Sequence, residues 1–405
     1  MKKIFIQNFG PVKDAEVVIN RFNLFIGEQS IGKSTIAKLI TIFTDDTNIL
    51  FLSVDKENAW ATLLETFDLL PCIASQDYTV HFEDIRDDHS ISLSFTTTEK
   101  MVTATYEGKV LTNPNDIFAV LLKLKPILNY NQIDPNAKTW SKEDLSKHLK
   151  DTLRNSIYVP AERIIGSLVY KLLPAMMMAK TQIPNNLLKF ITELNNAKAK
   201  YTEFPLDLLN VTYKVENDNE YIVLENGKPL PLRNASSGMQ SLIPLILVLT
   251  YGKENSQYES FVVEEPECNL FPDKQKKLLE MLISDIYHDN RTLTITTHSP
   301  YLLSALNNYL YAGGISAELG DNSLENLKQI TDEKLWIRAA DCSVYSLGEE
   351  INGGEYCKSI MDSENGLIDF NYLDGVSMAM SEEFAKMQRI YVNEIRKQRK
   401  ESRHD

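Results

Sequence analysis

An eight-residue run near the start of the chain, Gly27-Glu28-Gln29-Ser30-Ile31-Gly32-Lys33-Ser34, constrains the fold more than any other feature. It matches the pattern GxxxxGK[ST], follows an apolar strand candidate at 22–26 and precedes a helical pattern at 35–43. Glycines permit the tight turn in which successive N–H groups face a phosphate, and the next helix adds its positive amino-terminal end. The context predicts a phosphate-binding loop in an α/β fold.

Within this loop, each residue type predicts a contact with a nucleotide. Lys33 would pair with the β- and γ-phosphate oxygens of ATP, and the Ser34 hydroxyl would be a ligand of Mg²⁺. The alternative is a glycine turn without a ligand, which the flanking strand and helix disfavour. The predicted nucleotide-binding residues of the loop are Gly27, Gln29, Ser30, Gly32, Lys33, Ser34 and Thr35.

A second motif places two carboxylates directly after a short apolar strand, Phe261–Val263. Ligands in open α/β sheets bind at the carboxyl ends of strands, so these side chains are expected beside the phosphate loop. Glu264 would hold Mg²⁺, directly or through water, and Glu265 would act as the general base for an attacking water. The alternative interpretation is an acidic turn after an edge strand.

A third segment, 234–240, has the sequence Asn-Ala-Ser-Ser-Gly-Met-Gln and precedes an apolar helix at Leu242–Leu249. A helix amino terminus binds anions, so Ser237 and Gly238 are candidate nucleotide contacts. Small residues also begin ordinary helices, and Ser237 as a simple N-cap is the alternative. The position of the segment upstream of the paired carboxylates favours the first interpretation.

A histidine follows the next apolar strand candidate, Leu293–Ile295. His298 lies in the run Thr-Thr-His-Ser-Pro, one element beyond the carboxylates. A single histidine is usually structural, but at the end of this strand it is well placed to sense a γ-phosphate. We therefore predict catalytic roles for His298 and Glu265.

Composition excludes several classes of protein. The net charge of −14 disfavours a uniformly basic nucleic-acid binder. A basic stretch at 389–403 predicts a solvated terminal helix, with a nucleic-acid or partner contact as the alternative. The four cysteines form no CxxC pair, which disfavours zinc and predicts a reducing, cytoplasmic location. The longest apolar run, Leu242–Leu249, is far shorter than the roughly 20 residues of a membrane span.

The order of the motifs predicts a discontinuous domain, because a long stretch separates Lys33 from Ser237. Strand and helix patterns alternate in that stretch, which predicts insertions into one head. The predicted units are a head that resembles ABC-type ATPases at 1–45, 155–165 and 205–310, an inserted α+β lobe at 46–154, a helical insertion at 166–204, and a mixed C-terminal region at 311–405 with a basic terminal helix.

The chain resembles ABC-type ATPases of the SMC and RecF branch, and within it the OLD-like ATPases of bacterial anti-phage systems such as Septu and PARIS. The resemblance lies in the residues Gly27 to Thr35, Tyr158 to Arg163, Ser236 to Ser241, Glu264 to Glu267, Asn269 to Pro272 and Thr297 to Tyr301. It implies two heads that enclose two ATP molecules, as a dimer or a higher oligomer, with Ser237 and Gly238 acting on the nucleotide of the other copy.

The same resemblance implies a separate effector. OLD nucleases carry a TOPRIM nuclease domain after the head, and residues 301–405 lack its Asp-x-Asp arrangement. The resemblance therefore implies an ATPase subunit that controls a nuclease or toxin in another chain. Two alternatives stay open: a DNA-maintenance ATPase of the RecF or SMC type, with DNA as partner, and the ATPase subunit of a transporter.

Overall fold

The apolar segments without helical periodicity form a buried sheet. In this computed structural model, which describes residues 1–73, 77–86, 89–106, 109–111, 153–168, 178, 183–369, 378 and 380–392, that sheet consists of β16 (Cys357–Ser359), β15 (Cys342–Leu347), β3 (Phe22–Gly27), β14 (Thr292–Thr297), β13 (Tyr258–Glu264) and β8 (Asn155–Val159), in this spatial order. Its neighbours are parallel except β15 and β16. The three strands predicted beside the motifs are confirmed and adjacent, as β3, β14 and β13.

Two antiparallel sheets accompany it. The larger consists, in spatial order, of β2 (Val12–Ile19), β1 (Lys2–Phe9), β4 (Thr79–Arg86), β5 (His89–Thr96), β6 (Lys100–Tyr106) and β7 (Lys109–Leu111). The smaller consists of β12 (Pro229–Pro231), β11 (Asn219–Val223), β10 (Val211–Glu216) and β9 (Glu203–Leu206). Strands β10 and β11 form an antiparallel hairpin. Asn217 and Asp218 both have positive φ there, as a two-residue type I′ turn requires.

Helices cover the sheets. They include α1 (Lys33–Thr44), α2 (Asp46–Val54), α3 (Lys56–Thr66), α4 (Ile164–Leu168), α5 (Asn185–Lys200), α6 (Ser237–Glu254), α7 (Pro272–Leu282), α8 (Pro300–Ser316) and α9 (Asp321–Ile330). Residues 380–392, which include the start of the basic stretch predicted at 389–403, are helical, whereas 393–405 and 112–152 lie outside the described residues. Within the described ranges, no helix has the length and apolar character needed to cross a bilayer.

Alternating side chains of the parallel sheet face two hydrophobic cores. Phe25 and Val262 pack toward α1, which lies between this sheet and the sheet of β1 and β2. Leu24 and Val263 point the other way, into a core with α5, α6, α7 and α8. Phe43 of α1 is almost fully buried, and burying such a side chain stabilises the fold by about 1.5–3 kcal/mol. The phosphate loop therefore joins β3, which is packed on both faces, to α1, which is packed between two sheets.

Strand pairing crosses two of the predicted domain limits. The sequence ended the head at residue 310, but β15 pairs with β3 in parallel, and all six of its residues are buried. The sequence also assigned 46–154 to a separate lobe, whereas β4 pairs with β1. Each of these two limits divides a different sheet, because strands distant in the chain pair within it. The domain limits stay predictions.

Candidate functional site

The loop between β3 and α1 adopts a conformation that suits a phosphate. Ser30 has φ of 62° and Gly32 has φ of 99°, both in the left-handed region. A Cβ atom at Gly32 would lie 2.7 Å from Cγ2 of Val12, so glycine alone fits there. Gly32 is also the N-cap of α1 and supplies no side-chain cap. The first-turn N–H groups of Lys33, Ser34 and Thr35 therefore form an amino-terminal anion site.

Lys33 folds its side chain back over this loop. Its Nζ donates hydrogen bonds to the carbonyl oxygens of Gly27, at 2.9 Å, and Glu28, at 2.5 Å. Only 5% of the residue is exposed. Burial lowers the pKa of the ammonium group to about 8, and nearby carboxylates, Glu265 first among them, oppose the shift. The two carbonyls hold a cation at the position where phosphate oxygens would pair with it.

A residue far away in the chain anchors the loop. The hydroxyl of Tyr356 contacts the carbonyl oxygens of Pro11, at 2.9 Å, and Ile31. It also lies where a Cβ atom at Gly32 would come within 3.1 Å of it. Nothing in the pattern around Tyr356 indicates this contact. It depends on β15, which brings the segment after it to the carboxyl edge of the sheet beside Gly27.

Glu264 ends β13 on the same edge, and the residue is 4% exposed. Its Oε1 has no hydrogen-bond partner among the described residues. Burial raises the pKa of the carboxyl group, and the nearby hydroxyls of Tyr158 and Ser34 oppose that shift. A buried carboxylate with an unmet oxygen beside a serine hydroxyl fits a hard divalent cation, which prefers such oxygen ligands. Glu264 and Ser34 therefore fit the Mg²⁺ that was predicted for them.

Glu265 occupies a left-handed turn beside the histidine. Its φ is 42°, and its backbone N–H donates to the carbonyl oxygen of Thr296 at 2.9 Å. Its Oε1 lies 3.3 Å from Nε2 of His298, and Cys268 donates from Sγ to Oε2 at 3.2 Å. The contact with His298 lowers the pKa of Glu265 to about 2. The carboxylate is thus ionised, and both of its oxygens are in hydrogen-bonding contact.

A third acid, Glu267, holds the segment that carries the histidine. Its Oε1 accepts hydrogen bonds from the hydroxyl of Thr297, at 2.6 Å, and from the backbone N–H of His298, at 2.8 Å. Burial raises the pKa of this carboxyl group. In the sequence, Glu267 is only one of the residues that carry the resemblance to OLD-like ATPases. Its contact with the strand end after β14 follows from the pairing of β13 with β14.

An arginine that the sequence treated only as part of the resemblance lies beneath these acids. Arg163 follows β8 and is completely buried. Its guanidinium donates to the carbonyl oxygens of Glu264 and Glu265, both at 2.8 Å, and of Pro266 at 3.2 Å. A charged residue four positions after a buried strand is a weak signal in the sequence for such a role.

The family of the chain follows from a match that spans these motifs. The family described as AAA ATPase domain matches residues 1–84 and 109–303, which include the phosphate loop, both carboxylates and His298. The chain belongs to the AAA ATPase domain family. It is therefore an ATPase with a nucleotide-binding site. Together with the sheet order, the match confirms the predicted α/β fold with an ABC-type P-loop head.

Solved structures similar to this AAA ATPase domain protein include heads of SMC proteins. An SMC head bound to the C-winged helix domain of ScpA is 13% identical, with a TM-score of 0.39, and covers 88% of this chain and 96% of that chain. The SMC head domain from Thermotoga maritima is 11% identical, with a TM-score of 0.39, over 88% and 98%. An Smc head from Pyrococcus furiosus is 11% identical, with a TM-score of 0.38, over 95% and 100%. No protein among those with curated functions matches the chain.

In this AAA ATPase domain protein, the segment around Ser237 starts a helix as predicted, but with a different cap. The N-cap of α6 is Ser236, whose Oγ accepts from the N–H of Met239 at 3.4 Å. The alternative of Ser237 as the N-cap is therefore wrong, because the helix begins one residue earlier than that interpretation requires. The Ser237 side chain is exposed and available to a ligand.

Gly238 packs on the loop after the acids and not on the phosphate loop. A Cβ atom at Gly238 would lie 2.8 Å from the carbonyl oxygen of Asn269. In the part of the chain that the structure describes, no hydrogen bond or ion pair joins Ser237 or Gly238 to Lys33. The structure brings together Lys33, Ser34, Glu264, Glu265 and His298, and it leaves Ser237 and Gly238 outside this group.

Proposed function

We propose that the chain binds ATP with Mg²⁺ at the carboxyl edge of β3, β13 and β14 and hydrolyses it to ADP and phosphate. One observation carries the assignment: the three strands place Lys33, the Glu264–Glu265 pair and His298 at one edge, with Glu265 3.3 Å from His298. The predicted contacts of Gly27, Gln29, Ser30, Gly32 and Thr35 belong to the same proposal.

Each side chain has a role that suits its surroundings. Lys33 pairs with phosphate oxygens, Ser34 and Glu264 hold Mg²⁺, and that ion, when bound, neutralises charge on the transferred phosphoryl group. Glu265 orients the attacking water and accepts its proton. A carboxylate with a pKa of about 2 is a weak base, so the contact with His298 represents a resting arrangement. A γ-phosphate that attracts His298 would free Glu265 for the water.

We further propose that two copies enclose the nucleotides, with Ser237 and Gly238 reaching the ATP of the other copy. The absence of a cis contact to Lys33 among the described residues supports this arrangement. Two large apolar side chains also border the site and face solvent. Phe271 is 80% exposed and Tyr301 is 53% exposed. Exposed aromatic residues beside an incomplete site favour a protein interface there.

Complementation between two inactive variants tests this arrangement. Lys33→Ala removes the phosphate contact of one copy, and Ser237→Arg places a bulky cation on the exposed first turn of α6 in the other. Each variant alone is expected to be inactive in phosphate release. A one-to-one mixture should regain about a quarter of the unaltered activity, since half of the dimers would each contain one intact site. A mixture without activity, made from variants that still assemble, would show that Ser237 acts in cis, and full activity of Ser237→Arg alone would show that it has no role.

We propose that the biological role is that of an ATPase subunit in an anti-phage complex whose effector, a nuclease or toxin, is a separate protein. The resemblance of Gly27 to Thr35 and Glu264 to Glu267 to OLD-like ATPases supports it. The tagged chain, purified with ATP from its native host, is expected to retain a nuclease or toxin. Turnover stimulated by DNA, without such a partner, would instead favour a RecF- or SMC-type ATPase.

A further inference from the structure

The buried guanidinium of Arg163 contacts a continuous row of backbone carbonyls. Nη1 donates to Glu264 at 2.8 Å and to Pro160 at 3.3 Å. Nη2 donates to Glu265 at 2.8 Å and to Pro266 at 3.2 Å. A planar fork of donors suits several acceptors at fixed spacing, which a lysine ammonium does not. The row starts at the end of β13 and includes the backbone of both site carboxylates.

Burying the charge of Arg163 costs free energy unless other contacts compensate for it. Arg163 has no carboxylate partner in an ion pair among the described residues, and its Nε has no hydrogen-bond partner there. Burial of a charge is unfavourable unless hydrogen bonds replace its hydration. The carbonyl dipoles of three successive residues supply that replacement. The carbonyls of the turn thus stabilise the buried charge, and the same hydrogen bonds stabilise the turn.

The turn itself needs external support. Glu265 has φ of 42°, a conformation that residues other than glycine seldom adopt and that surrounding contacts must maintain. On one side its N–H donates to the carbonyl oxygen of Thr296 in β14. On the other side its own carbonyl accepts from Arg163. The backbone of Glu265 is therefore held between β14 and the segment after β8, which fixes where its side chain starts.

The same segment also reaches the other acid. Tyr158 lies in β8, five residues before Arg163, and pairs with Val262 of β13. Val159, the next residue of β8, pairs with Val263, which directly precedes Glu264. One edge strand and the turn that follows it thus contact the backbone of β13 up to the first acid.

We propose that Arg163 is a positioning residue for ATP hydrolysis, which holds the turn at Glu264–Pro266 so that the two acids face the phosphate loop. The proposal rests on the proposed ATPase site and concerns hydrolysis, not the capture of nucleotide. Arg163 contacts the backbone of the acids, whereas Lys33 lies in the first turn of α1.

Two substitutions and a matched control test it. Arg163→Met removes all four hydrogen bonds with a side chain of similar size. Arg163→Lys keeps the charge but not the planar set of guanidinium donors. Arg291→Met is the control, because Arg291 also donates to two backbone carbonyls, of Gly252 at 3.0 Å and Lys253 at 2.6 Å, and its side chain is 13% exposed. It directly precedes β14, at the sheet edge opposite the acids.

Three quantities are measured for each variant: kcat and KM for phosphate release, the affinity for ADP, and the affinity for Mn²⁺ in the presence of ADP by electron paramagnetic resonance. Arg163→Met should lower kcat by about 10- to 100-fold, since small displacements of reacting groups have effects of this order. It should weaken Mn²⁺ binding by about tenfold and leave ADP affinity and KM nearly unchanged. Arg163→Lys should retain more of the thermal stability of the unaltered protein than of its kcat. Arg291→Met should lose thermal stability without a loss of kcat.

The outcomes distinguish a failure of the positioning role of Arg163 from a failure of the proposed ATPase site. No turnover by the unaltered protein would contradict the proposed ATPase site, and the Mn²⁺ affinities would then decide the role of Arg163. With turnover present, equal kcat in Arg163→Met and Arg291→Met at matched stability would overturn the positioning role. Parallel loss of ADP affinity and kcat would also overturn it, since that pattern indicates a general loss of structure. If Arg163→Met does not fold, Arg163→Lys decides the matter. A loss of kcat with retained thermal stability supports the positioning role, and an unchanged kcat contradicts it.

Discussion

Replacing Glu265 by glutamine is expected to lower kcat by about 10³-fold while ATP remains bound, because general-base catalysis contributes roughly 10²- to 10⁴-fold. Glutamine has nearly the same shape but cannot accept the proton of the attacking water. The substitution also removes the carboxylate that contacts His298 at 3.3 Å and Cys268 at 3.2 Å. Phosphate release, ATP affinity and the mass of the assembly with ATP are the measurements, and a longer-lived dimer with ATP is expected.

The control for this substitution lies on the same strand. Glu259→Gln changes an acid at the other end of β13, whose Oε1 pairs with Nε of Arg154 at 2.6 Å and whose side chain is 54% exposed. It should leave kcat within about twofold, since an exposed ion pair contributes at most about 1 kcal/mol and does not touch the site. Normal hydrolysis by Glu265→Gln would show that the base lies elsewhere, with Glu267 as the next acid to test.

Substitution of Lys33 by alanine is expected to weaken ATP binding by about 10²-fold or more. Each hydrogen bond to a charged group contributes about 1.5–3 kcal/mol, and tenfold in affinity corresponds to about 1.4 kcal/mol. Folding should change little. Burial already lowers the pKa of the Lys33 ammonium group to about 8, so the folded protein gains nothing from its charge without a ligand. Equilibrium binding of ATP and thermal unfolding without nucleotide are the two measurements.

A surface lysine provides the comparison for Lys33. Lys13 is exposed, and its Nζ contacts Oε2 of Glu349 at 2.5 Å. Lys13→Ala also removes one positive charge from the protein. Any loss of ATP affinity that it shows therefore reports the overall electrostatic field of the protein and not a phosphate contact. Retained ATP affinity in Lys33→Ala, with Lys13→Ala unchanged, would contradict the assignment of the loop at 27–34.

The motifs could be predicted from the sequence because each is local. In the phosphate loop, Gly32 must adopt φ of 99°, and helix α1 must start immediately after it, so the residue types appear in a fixed spacing. The same holds for Glu264 and Glu265, which follow a buried strand directly. The burial of β3, β13 and β14 followed from their apolar residues without helical period.

Contacts between distant segments could not be predicted in this way. Arg163 and Glu264 are 101 residues apart, and Tyr356 and Ile31 are 325 apart. A single sequence contains no signal for which strand lies beside which, since strand pairing depends on the packing of the whole sheet. For the same reason the sequence ended the head at residue 310, although β15 completes its parallel sheet.

Taken alone, the sequence determined the α/β fold, the phosphate loop at 27–34 and the acids that follow β13, because tight turns and buried strands restrict residue types locally. Only the tertiary structure decided that Arg163 donates to the backbone carbonyls of both acids, that His298 contacts Glu265, and that Gly238 packs on Asn269 instead of on its own phosphate loop. Those features depend on the order of strands in the sheet, which is set by the burial of two cores at once.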